Sequence, residues 1–87
     1  MKSISSYVLL TCDVGKRDFV KKELESFNEI KEIVGTYGMY DIILKIESES
    51  EEKIQSFVRD KIRNVDHIRT SLTLSLPEWG SITFAKK

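Results

Sequence analysis

Apolar residues recur along this chain with two different periods, and the places where one period gives way to the other lay out its elements. Tyr7 to Cys12, "YVLLTC", is rich in strand formers and apolar on both alternating faces. Tyr7 and Leu9 fall on one face and Val8, Leu10 and Cys12 on the other, the pattern of a central strand. "DVGKRD" supplies turn chemistry and a helix start. Phe19, Val20, Leu24 and Phe27 then recur at helical spacing among lysines and glutamates, which predicts an amphipathic helix over roughly Lys16 to Phe27. In "IKEIVGTY" Ile30, Glu32 and Val34 alternate with Lys31, Ile33 and Gly35. Tyr37-Gly38-Met39 offers a hairpin corner before a strand from Tyr40 to Glu47, so these two strands are expected to run antiparallel.

"SESE", Ser48 to Glu51, matches the Ser-x-x-Glu capping box, and Ile54, Phe57, Val58 and Ile62 mark one face of a second helix ending near Asn64. "HIRTSLTLSL" alternates strictly: Ile68, Thr70, Leu72, Leu74 and Leu76 against His67, Arg69, Ser71, Thr73 and Ser75. Pro77 stops it, Pro77 to Gly80 reads as a turn, and Ser81 to Ala85 as a short returning strand. Trp79 reads as a local cap over the sheet edge, or as a subunit contact. Strand, helix, strand, strand, helix, strand is the α+β, ferredoxin-like βαββαβ order, with two helices on one face of a four-stranded antiparallel sheet. Right-handed crossovers place the first and third strands in the centre. No linker or repeat interrupts residues 1–87, which are expected to form one domain.

Composition narrows the function classes. A chain of 87 residues buries only a modest core, so a partner chain is expected. Fourteen basic residues balance 14 acidic ones, leaving no net positive field for phosphates or anionic lipid and disfavouring direct DNA binding. The single cysteine, Cys12, sits in an apolar strand and reads as a packed thiol in a reducing compartment. Neither the opening "MKSISSYVLLTCDV" nor any later stretch has the form of a cleaved leader or a membrane span, so a cytoplasmic location is expected.

Asp41 sets a carboxylate at the edge of an apolar strand, where an unpaired charge is costly. Tyr40, Ile42, Leu44 and Ile46 are the more apolar parity and belong under the helices, which turns Asp41, Ile43 and Lys45 to the uncovered face. The same reasoning turns Ser71 and Thr73 outward, beside one apolar row of the first strand, either Tyr7 and Leu9 or their alternates. A half-apolar open face calls for a second copy packed over it, enclosing these polar groups in a pocket at the dimer edge. The plainer alternatives are a solvated or turn aspartate bonding backbone, and hydroxyls on a wet sheet face. His67 beside Asp66 reads as a turn histidine: metal ligands do not cluster, since Cys12 lies far away in sequence. Asp41 with Tyr40 or Tyr37 is the sole acid–base candidate.

"YVLLTCDVGKRDFVKKEL", "VGTYGMYDIILKI" and "IRTSLTLSL" together resemble the regulation-of-amino-acid-metabolism (RAM) domain, the C-terminal effector half of Lrp/AsnC-type transcription regulators. The likeness runs from about Tyr7 to Leu76, and its most specific piece is Gly38-Met39-Tyr40-Asp41, similar to the family's Gly-x-Tyr-Asp motif. The resemblance implies a ferredoxin-like, dimeric α/β-barrel type of assembly, pairing through the sheets, often higher oligomers, and amino acids bound between subunits. Carried over by position, Gly38 would give close backbone approach, Tyr40 and Asp41 complete the motif with Asp41 as polar anchor, and Ser71 and Thr73 match hydroxyl-bearing positions. His67 stands where the family commonly has glycine before the last strand, and the first strand begins too early for a helix-turn-helix to precede it. The resulting expectation is a stand-alone amino-acid-binding and assembly module without catalytic residues, metal or cofactor. It would act by ligand-dependent oligomerisation or by mixed assembly with full-length Lrp/AsnC regulators. A small ferredoxin-like dimeric enzyme of the monooxygenase kind and a purely structural oligomerisation module are its rivals.

Overall fold

In the computed structural model, which describes residues 3–36 and 38–75 and all of their side chains but that of Ser75, the parity of β1 (Ile4–Cys12) decides what is core. Ser6, Val8, Leu10 and Cys12 are buried, whereas Tyr7 and Leu9 are only half-buried and face the other way. The remaining elements are α1 (Arg17–Leu24), β2 (Ile30–Gly35), β3 (Ile42–Ser48), α2 (Glu51–Phe57, continued by a wide π turn over Val58–Ile62) and β4 (Ile68–Ser75). The sheet is antiparallel in the order β2-β3-β1-β4, so the first and third strands are central, as the crossover rule requires.

Val20 and Leu24 of α1, together with Ile54, Phe57, Val58 and Ile62 of the second helical segment, close over Val8, Leu10, Ile42, Leu44 and Ile46. Burial of each such side chain is worth ~1.5–3 kcal/mol, which makes this single layer the main source of stability. No helix among the described residues is long and apolar enough to cross a membrane.

Two element ends differ from the sequence reading. The helix cap is Ser50, whose hydroxyl accepts from the Lys53 N–H at 3.2 Å, because β3 carries Ser48 into register with Ile4 and leaves it no freedom to cap. α1 ends at Leu24: the Ser26 hydroxyl donates to the Glu23 carbonyl at 2.9 Å. Phe27 then leaves the helix axis to meet Phe57 edge-on at 5.4 Å.

The larger correction concerns faces. Both edge strands carry a register shift: β2 between Ile30 and Glu32, and the β1–β4 ladder between Thr11/Thr70 and Cys12/Ile68. A bulge inserts one residue and reverses the in-out phase beyond it. Ile68 therefore packs toward the core opposite Cys12, but from Thr70 onward the parity flips. Ser71 and Thr73 pair with the buried Leu10 and Val8 and lie on the helix side, while Leu72 and Leu74 pair with Leu9 and Tyr7 on the open face. The expectation that Ser71 and Thr73 share the open face with Ile43 is thus reversed. The same device lets Ile30 and Ile33, of opposite parity, both reach the core. Tyr37 of the hairpin corner, Leu76, the stop at Pro77, Trp79 and the strand expected over 81–85 lie outside the described residues.

Candidate functional site

Asp41 completes a ladder that the backbone abandons. Leu10 and Cys12, two apart on β1, present their polar groups to the same neighbouring strand. The Asp41 N–H donates to the Leu10 carbonyl at 2.8 Å, and the next acceptor in line would be the Tyr40 carbonyl. That carbonyl instead accepts from the Thr36 hydroxyl at 2.6 Å. The Asp41 carboxylate takes its place, with Oδ2 accepting from the Cys12 N–H at 2.7 Å. The half-buried Asp41 is therefore tied to β1 through its side chain and to Thr36, just past β2, through its backbone carbonyl, which accepts from the Thr36 N–H at 2.8 Å.

The turn between β2 and β3 is pinned around this point. Arg17, at the start of α1, donates from Nη1 to the Thr36 carbonyl at 3.0 Å, and its side chain lies beside Gly35. Gly38 holds φ at 120°, a conformation that residues with a Cβ rarely adopt, and the space a Cβ would enter is open. The motif glycine is thus required by backbone geometry, and no described residue crowds it.

Beside Asp41 opens a cleft of about 700 Å³ at the end of the sheet. Its wall comprises the end of β1 and the following turn (Thr11 to Gly15), the α1 start (Arg17, Asp18), Met39 and Asp41, and the β4 start (Arg69, Thr70). The Thr11 and Thr70 hydroxyls meet at 2.6 Å. Asp13 lies between an imidazole and a guanidinium: Oδ2 is 3.1 Å from His67 Nδ1 and Oδ1 is 4.0 Å from Arg69 Nε. Of the residues singled out from sequence, Asp41 lines the cleft and Gly38 adjoins it through Met39. Tyr40 contributes its carbonyl to the turn, and Ser71 and Thr73 lie on the opposite side of the sheet. Thr11, Thr70, Arg17, Arg69 and Asp13 were not singled out, since only the fold brings the α1 start to the β4 start.

The Cys12 thiol is buried, and its pKa is raised by that burial first and then by the Asp41 and Asp13 carboxylates, against a smaller opposing pull from Arg17. It is a packed thiol and not an activated nucleophile. No group of three or more His, Cys, Asp or Glu among the described residues is placed to hold a metal.

The open face of the sheet leads into this cleft. One cross-strand row runs Val34, Ile43, Leu9, Leu72, and the next runs Glu32, Lys45, Tyr7, Leu74. Val34, Leu72 and Leu74 remain 50%, 45% and 40% exposed, an uncovered apolar band across all four strands. The polar row of Thr70, Thr11 and Asp41 follows it toward the sheet end.

A family model described as the Lrp/AsnC ligand binding domain matches residues 5–77. The regulatory protein AsnC of Haemophilus influenzae is 37% identical over 60 residues, covering 67% of this chain and 40% of that protein. The chain spans about half the length of the curated relatives it matches. Among solved structures, FFRP-DM1 is 28% identical with a TM-score of 0.81 over 85% of this chain and 99% of that one. A transcriptional regulator of Neisseria meningitidis, solved as its L-Met complex, shares the fold (TM-score 0.79, 12% identity, 97% of this chain and 56% of that one). The residues quoted from Tyr7 to Leu76, the βαββαβ order and the matched span together make the chain a member of the Lrp/AsnC ligand-binding domain family.

Proposed function

We propose that the chain is a non-enzymatic, amino-acid-binding assembly module that pairs with a second copy through the open face of its sheet and takes its ligand in the cleft at the sheet end. The observation that carries this reading is the junction of the two features: an uncovered apolar band across four strands runs directly into a cleft holding carboxylates, arginines and paired hydroxyls. An amino acid offers an ammonium for a carboxylate and a carboxylate for cationic and hydroxyl donors, so a wall of mixed sign suits it. Asp41 is the proposed ammonium anchor. Gly38 keeps the adjoining turn open to close approach, and Tyr40 fixes that turn through its carbonyl. The hydroxyl role first assigned to Ser71 and Thr73 passes to Thr11 and Thr70, which are on the cleft side. Mixed assembly with full-length Lrp/AsnC regulators is the proposed route to transcription, since a zero formal charge over these residues gives no counterion-release contribution to direct DNA contact.

The Asp41–Cys12 bond favours a second reading, in which the carboxylate only completes the ladder and the module is purely structural. A thermal-shift screen against the twenty amino acids separates the two, since a ligand that binds only the native state raises its stability by mass action, by ~2.7 kcal/mol at one hundred times Kd. A raised midpoint with one or a few amino acids is expected. Twenty unchanged midpoints would leave the structural reading.

A further inference from the structure

His67 is the one described residue other than glycine with its backbone in the left-handed region, at φ 75°. A residue with a Cβ stays there only when its surroundings hold it. Three contacts do so, two of them with the same residue. The His67 carbonyl accepts from the Asp13 N–H at 2.8 Å, and the imidazole Nδ1 lies 3.1 Å from Asp13 Oδ2. The ring edge meets Phe19 of α1 at 5.2 Å and 84°. Asp13 begins the turn between β1 and α1, and it lines the cleft with Val14, Gly15 and Arg69. Its second oxygen is the one 4.0 Å from Arg69 Nε. One carboxylate is thus shared between an imidazole, the side chain whose charge changes near neutral pH, and an arginine of the cleft wall.

We propose that His67 and Asp13 form a proton-responsive clasp on the β1–α1 turn. The imidazolium donates a charge-assisted hydrogen bond to Asp13, fixes the turn and draws the carboxylate from Arg69, leaving that guanidinium for an anionic group in the cleft. The neutral imidazole holds Asp13 more weakly, so the turn loosens and Asp13 returns to Arg69. Among the described residues, Asp13 of the turn is the charged group in contact with the ring, Arg69 of β4 reaches the same carboxylate and Asp66 precedes His67 in the chain, while α1 presents the Phe19 ring there and places Arg17 and Asp18 at the cleft. The clasp itself stands on this geometry. Only its consequence for an anionic ligand group rests on the amino-acid reading.

Amide hydrogen exchange of Asp13, followed by NMR on the ligand-free chain and normalised to intrinsic exchange rates, tests the clasp separately from that reading. His67 is the single histidine of the chain, so the ring titration is read without ambiguity. Protection of the Asp13 amide is expected to be roughly two- to fivefold greater at pH 6 than at pH 8, the range of a partly exposed ion pair, with its inflection tracking the ring. His67→Asn, which tolerates the left-handed backbone without titrating, should lose that dependence, and Asp13→Asn should lose it from the other side of the contact. Protection that is equal at both pH values in the parent would overturn the clasp, as would a dependence that survives in either variant.

Discussion

Ile43→Lys should abolish the self-association proposed above and leave a folded monomer, with the mass seen in sedimentation at micromolar concentration equal to that of one chain. Ile43 sits mid-row on the open face, in register with Leu9 on one side and Val34 on the other, and no helix among the described residues covers it. A second copy packed over that face would enclose position 43, and a two-fold axis would bring the two lysines toward each other. Burying an unpaired ammonium beside its own image costs several kcal/mol, which weakens association by about a hundredfold or more. The fold should survive, because the helix-side core of Leu10, Ile42, Leu44 and Ile46 is untouched. An unchanged oligomer would place the interface elsewhere on the molecule.

Asp41→Ala should produce two losses, whereas Asp41→Asn should produce one. The alanine variant removes the acceptor of the Cys12 N–H, a 2.7 Å bond that nothing else in the ladder replaces, so a stability loss of about 1–3 kcal/mol in chemical denaturation is expected. Reasoning from the outward parity of Asp41 alone, its removal would have spared the fold; the bond to β1 corrects that. Asparagine keeps an acceptor for Cys12 but no charge for an ammonium. It should fold near parental stability while losing about ten- to a hundredfold in amino-acid affinity by calorimetry. Parental affinity in Asp41→Asn would mean that the carboxylate serves the ladder alone.

The parts legible in the sequence are those where one alternation runs unbroken. Val8, Leu10 and Cys12 against Tyr7 and Leu9, and Ile42, Leu44 and Ile46 against Ile43 and Lys45, separate core from open face at once, and both strands are central. The edge strands defeat the same reasoning because a bulge adds a residue that composition does not mark. Ile68, Leu72 and Leu74 share one parity, yet Ile68 packs on the core and the two leucines face outward. The open face is accordingly more apolar than the sequence alone suggests, and Ser71 and Thr73 leave it. Ser48 and Ser50 are equivalent as caps on paper, and only the length of β3 chooses between them. For the site, Gly38 and Asp41 are visible as a motif, but the Asp41 bond spans 29 residues to Cys12, and the approach of the α1 start to the β4 start is a product of topology. His67 stands out in the sequence as a turn histidine and as a departure from glycine, and its left-handed backbone shows what the glycine position demands.

Sedimentation of the intact chain at micromolar concentration, alone and with each of the twenty amino acids at millimolar concentration, tests the central claim most directly, because it reads assembly and ligand in one experiment. A dimer or larger species is expected without ligand, and a distribution that shifts with one or a few amino acids. A monomer throughout, or one distribution unchanged by all twenty, would contradict it.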